Sequence, residues 1–194
     1  RGAHGVVAPS ALNAPFSPLP GAAAAARDVD SAMATSEDPR AALLRQLLQC
    51  QVVGALGTLH RGKPAVSMVP FAVSPRSGSV VVHVSRLATH TRDMETMPAV
   101  SLLVMAERDP DVLPQALARI TIAGQARRCD GAHAEHDAAR SSYLARFPQS
   151  EPMFGFGDFS LFLIEPDSVR VVGGFAQAWS MSRDQYLNAL CGAA

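Results

Sequence analysis

The chain has little cysteine: Cys50, Cys129 and Cys191 are far apart in its 194 residues and form no C-x-x-C pair. That argues against a thiolate zinc site and against a disulfide framework. Buried thiols in a reducing cytoplasm are the expectation. Lysine is scarcer still. Lys63 is the sole lysine among 17 basic residues, and it precedes Pro64 beside a turn. An amine there is hard to desolvate, which argues against Schiff-base chemistry. There is no excess of charge, 17 basic residues facing 17 acidic ones. Neither nucleic acid nor an anionic membrane is an expected partner. No apolar run approaches the roughly 18 residues of a membrane helix. P-loop, G-x-G-x-x-G and Ser–His–Asp patterns are all missing.

What is present describes an ordinary globular chain, 48% hydrophobic and 18% charged, of a length suited to one domain with a substantial core. Abundant alanine and the preference for arginine fit a GC-rich bacterial genome. Residues 1–36 are rich in Ala, Pro, Ser and Gly and are expected to be a flexible arm, with prolines interrupting any signal-like apolar stretch.

Asp38–Pro39 reads as a helix cap and first residue. Leu43, Leu44, Leu47 and Leu48 follow as one apolar stripe through to Gln51. Strands are expected at 52–59, 99–106, 116–128, 159–165 and 168–173, the last two joined by a turn at Pro166–Asp167. Period-two runs at 63–73 and 79–85 flank Pro75–Arg76–Ser77–Gly78 and predict a β-hairpin. Helices are expected at 88–96, 132–146 and 182–190, with a loop at 149–158. Strands followed by late helices on an antiparallel sheet predict an α+β fold.

The densest chemistry lies where the second hairpin strand enters a helix. Ser85, Thr89, His90 and Thr91 offer hydroxyl and imidazole donors, and Arg86 or Arg92 offers charge. A strand feeding such groups into a helix start suits a phosphate. Gly173–Gly174 would let backbone approach a planar ligand that Phe175 or Trp179 could wall. His133 and His136 share a predicted helix face, but a solvated face is the simpler account, and no metal site is assigned. His83 reads as a sheet residue. No side chain stands out as a general acid or base, so the catalytic residues are unknown.

Three blocks, G-K-P-A-V-S-M-V-P-F, H-V-S-R-L-A-T-H-T-R-D-M and V-V-G-G-F-A-Q-A, occur in this order across roughly residues 40–182. Together they resemble the flavin mononucleotide (FMN)-binding split-barrel family, which includes pyridoxamine 5′-phosphate oxidase, and most of all its haem-utilisation (HugZ-like) branch. The resemblance implies an antiparallel split β-barrel with peripheral helices over residues 37–194. It implies a homodimer with cofactor sites between the subunits, and the cysteine pattern makes cytoplasmic the expected localisation. FMN would be the cofactor of an oxidoreductase on an unknown substrate. Its ring would lie along Val66, Ser67, Met68 and Val69, its phosphate on Ser85, Arg86, Thr89, His90 and Thr91, with Gly174 and Phe175 nearby.

In the oxidase an Arg–Lys pair holds the phosphate; those places are Thr89 and His90 here. The alternatives are a haem-binding or haem-degrading protein, or a non-catalytic cofactor binder. Haem-utilisation relatives hold the iron through a histidine near the C-terminus, and no histidine follows Gly174 here. Iron would then need another donor, such as His83, His90 or Cys191.

Overall fold

The computed structural model describes residues 38–131 and 133–192; the expected arm, residues 1–36, lies outside the described residues. Helix α1 (Pro39–Cys50) begins where the Asp38 side chain accepts from the Arg40 amide at 2.9 Å, with proline in the first turn. Its buried stripe is Ala41, Leu44, Leu47 and Leu48. The far end is closed by Arg146, whose guanidinium donates to the carbonyls of Leu48, Gln49 and Gln51. These are carbonyls that a helix terminus leaves without intrahelical partners.

Strand β1 (Val53–His60) turns through Arg61 and Gly62, both at positive φ, into β2 (Lys63–Pro70). The two pair along their whole length, from Val53 opposite Pro70 to His60 opposite Lys63. The long hairpin expected between 63–73 and 79–85 is therefore not formed. Only β3 (Ala72–Val73) pairs across the turn with β4 (Val80–Ser85). Pro70 ends β2, since a proline cannot donate to a ladder. The chain bends there, Phe71 is fully buried, and its amide donates to the Val52 carbonyl.

Helix α2 (Thr89–Thr96), β5 (Ala99–Met105), a 3-10 turn at Pro114–Ala116 and β6 (Arg119–Cys129) follow. Helix α3 (Ala134–Arg146) leads into a 3-10 helix over Pro148–Gly155, where the sequence suggested a loop. Then come β7 (Phe159–Gly174), β8 (Gln177–Ser182) and α4 (Arg183–Cys191). A capping box of Ser182 and Gln185 opens α4.

The expected turn at Pro166–Asp167 is instead a bulge inside one 16-residue strand. Gly124 faces Pro166 while Ala123 faces Ser168, so Asp167 is the extra residue. Strand β8 was not anticipated. Gly173–Gly174 looked like a strand end, but the chain reverses there, with Ala176 at φ 60, and pairs back on β7.

The fold is α+β, an antiparallel split barrel of eight strands in the order β2-β1-β5-β6-β7-β4-β3, with β8 beside the second half of β7. The main core fills its concave side, with Leu44, Leu56, Phe71, Leu102, Ile120, Ile122, Phe162 and Tyr186 essentially inaccessible. A second cluster lies under α3, where Ala72, Val81, Leu161 and Leu163 meet Tyr143 and Phe147. Of the three cysteines only Cys129 is buried; Cys50 and Cys191 are exposed, against expectation, because both fall on the last residue of an outer helix. Among the described residues no helix is long and apolar enough to cross a membrane.

Candidate functional site

The Ser85–Thr91 segment joins β4 to α2, and its donors are largely engaged. The Ser85 hydroxyl donates to Asp158 Oδ2 at 2.5 Å and accepts from the Leu87 amide at 3.1 Å. The Thr91 hydroxyl donates to the Ser85 carbonyl at 2.7 Å, and the Arg86 amide to the Asp158 carbonyl. The bonds to Asp158 tie the loop to the residue just before β7. They also set a carboxylate beside the hydroxyl expected to meet a phosphate, and like charges there repel. Arg86, Leu87, Thr89 and Arg92 are exposed and His90 is half-buried.

One turn further along, Asp93 turns inward and anchors α2 to β1. Its Oδ2 accepts from Thr58 Oγ1 at 2.9 Å and its Oδ1 meets His60 Nδ1 at 2.8 Å. Burial pushes the Asp93 carboxyl up. The bonds from His60 and Thr58, with His90 nearby, outweigh burial and hold it below its usual value. The carboxylate is thus ionised, and His60 Nδ1–H is the donor. Burial lowers the His90 pKa, and Asp93 opposes that in part. Sequence reasoning missed both Asp93 and His60, because only the β1–α2 packing brings them together.

The four β2 candidates divide between two faces, as strand alternation requires. Val66 and Met68 point outward, 73% and 66% exposed, while Val69 is buried in the core and Ser67 shares its side. Facing residues of an antiparallel pair lie on one side of the sheet. Val66 therefore continues across Gly57, Ser101 and Ala123, and Met68 across Ala55, Leu103 and Thr121. The residues on this outer face are small or apolar, Ser101 and Thr121 being its hydroxyls.

Gly174 and Phe175 are not brought to the loop. Ser85 pairs with Phe159 at the start of β7, and Gly174 is at its end. A strand rises roughly 3.3 Å per residue, so about 50 Å of contour separates them. Phe175 is 79% exposed on the β7–β8 turn.

His83 is buried. Its ring stacks on Phe154 at 3.9 Å and meets Tyr143 edge-on. Burial first, and His136 second, lower its pKa to about 4. A cavity of about 320 Å³ there is lined by His83, His136, Arg140, Glu151 and Phe154. His133 and His136 do not join a metal site; among the described residues no group of three or more His, Cys, Asp or Glu side chains could hold a metal ion.

Residues 35–188 match the family model described as CREG, beta-barrel. The chain is 37% identical over 150 residues to the chloroplastic heme oxygenase HOZ of Arabidopsis thaliana, covering 74% of this chain and 44% of that protein. It is 28% identical over 145 residues to the heme oxygenase HutZ of Vibrio cholerae, covering 74% of this chain and 78% of HutZ. Among solved structures, a heme binding protein from Mycobacterium smegmatis superposes with a TM-score of 0.68 at 31% identity, over 77% of this chain and 61% of that one. The chain thus spans under half the length of the plant relative.

Proposed function

The chain belongs to the CREG β-barrel family, and from that premise we propose that it binds haem and takes part in haem breakdown. The named relatives support this reading: two are called heme oxygenases and one a heme binding protein. The observation that carries it against flavin is the state of the Ser85–Thr91 loop. Two of its hydroxyls are engaged within the protein and one of them donates to the Asp158 carboxylate. A dianionic phosphate would have to displace that contact. Haem needs no such cradle. Its two propionates spread their charge over two separate carboxylates, and Arg86 and Arg92 are exposed beside the loop.

Bound haem would supply the iron at which oxygen is activated; the protein supplies a nitrogen donor, apolar contact and exclusion of water. The His90 imidazole, its pKa lowered by burial, stands at this end of the barrel, with apolar Leu87 and Met97 exposed on either side of α2. The outer face around Val66 and Met68 is assigned to a second copy of the chain, which would cover a surface too apolar to leave in water. An FMN oxidoreductase is the second reading. It is favoured by the exposed Thr89 at the α2 N-terminus, where backbone amides are free to meet an anion.

Parallel titrations with haemin and with FMN separate the two. A Soret band saturating at one haem per chain, then decaying with ascorbate under air, is the expected result. Saturable quenching of FMN fluorescence without any Soret band would overturn it.

A further inference from the structure

We propose that His60 ligates the haem iron through Nε2, with the buried Asp93 carboxylate holding its imidazole in place. The inference rests on the haem reading above and names the donor that reading leaves open.

Both oxygens of Asp93 are engaged, Oδ2 by the Thr58 hydroxyl and Oδ1 by the His60 ring at 2.8 Å, which makes Nδ1–H the donor to the carboxyl. That fixes the tautomer and leaves the lone pair on Nε2. Nε2 is not among the buried unpartnered atoms and has no hydrogen bond to any described residue, while the His60 side chain is 44% exposed. The carboxylate end is rigid: Asp93 sits in the second turn of α2 and is itself tied to Thr58, two residues before His60 on the same strand. Metal-bound histidines almost always donate their second ring nitrogen in this way, which orients the ring and raises its basicity.

The other described histidines lack this combination. His83 is enclosed by aromatic rings, with its Nδ1 buried and unpartnered. His136 has only its sequence neighbour Asp137, at 3.8 Å. His90 feels Asp93 but donates no hydrogen bond to it. His133 is the N-cap residue of α3, and no bond holds its side chain there.

The test is resonance Raman and Soret spectroscopy of the haem-loaded full chain, wild type against His60→Ala, His90→Ala and Asp93→Asn. Thermal melts of each variant monitor folding. We expect His60→Ala to lose the ferrous iron–histidine stretching band, and millimolar imidazole to restore it. Asp93→Asn should keep the band but move it to lower frequency, with haem affinity reduced by about 10–100-fold. His90→Ala should leave the band in place. A folded His60→Ala protein with an unchanged band would overturn the assignment and leave the haem reading standing. Should His60→Ala fail to fold, an Asp93→Asn band unmoved from wild type would overturn it instead. Failure of the wild type to give any Soret band would overturn the haem reading itself, and the assignment with it. A purely structural His60–Asp93 bond would change melting temperature but not the band.

Discussion

The bulge that lets β7 run unbroken past Pro166 depends on one missing methyl group. A Cβ built on Gly124 would lie 2.1 Å from the Glu165 carbonyl oxygen, 2.9 Å from its carbon and 3.1 Å from Pro166 Cα. All three are backbone atoms, so no side chain can rotate away. Optimal non-bonded contact is roughly 3.5 Å, and the strands would have to separate by more than about 1 Å. Such a shift overpacks the site, which costs ~1–3 kcal/mol, and weakens at least one ladder hydrogen bond, worth about another 1 kcal/mol. Gly124→Ala should therefore destabilise by roughly 3 kcal/mol, which for a domain of this size is a fall of about 6–12 °C in Tm. Gly157→Ala is the control, since nothing lies within 4 Å of its Cβ; it should melt within about 0.5 kcal/mol of the parent. Thermal and urea melts of the three proteins test this. A Gly124→Ala Tm equal to the parent's would refute the bulge geometry.

Two further expectations follow from the sheet. Val66→Glu with Met68→Glu should convert a dimer to a monomer in light scattering while leaving Tm nearly unchanged, because both side chains are exposed within one chain; a dimer persisting in the double variant would refute the assigned face. His83 is held at about 4, below the ordinary 6.5, first by burial and then by His136. The unfolded chain therefore takes the proton first. The resulting stability is complete above pH 6.5 and is lost as pH falls toward 4, by up to about 3 kcal/mol. His83→Phe, which can keep the stack on Phe154, should flatten urea midpoints between pH 6.5 and 4; a slope identical to the parent's would refute the neutral, buried state.

Much of the fold was legible because periodicity reports burial. The leucine stripe of α1, the apolar run of β5 and the strand expected over 116–128 each fell on a matching element. What failed was pairing. Residues 63–70 have the alternation of a hairpin arm, but alternation does not name a partner. The two-residue reversal at Arg61–Gly62 pairs residues 63–70 with β1 rather than with β4. Pro166 misled in the same way. Proline cannot donate to a ladder, which usually ends a strand, but a glycine across from it and one bulged residue absorb the loss. A lone sequence does not show which glycine stands opposite which proline.

The site divides along the same line. Ser85, Thr89, His90 and Thr91 were singled out for their chemistry, and the structure does set them together at the entrance to α2. Chemistry alone could not say that the Ser85 hydroxyl is occupied, because Asp158 is 73 residues away and meets it only through the β4–β7 pairing. The same holds for His60, which reaches Asp93 across 33 residues. Both contacts are carboxylates arriving from a distance, and they act in opposite directions. Asp158 makes the loop a worse host for a phosphate dianion, whereas Asp93 makes His60 a better donor to a cation. On the proposed haem reading, one end of the barrel is biased away from the phosphate of a flavin and toward a metal centre, and the bias comes from two pairings, Ser85–Asp158 and His60–Asp93, that no local motif contains.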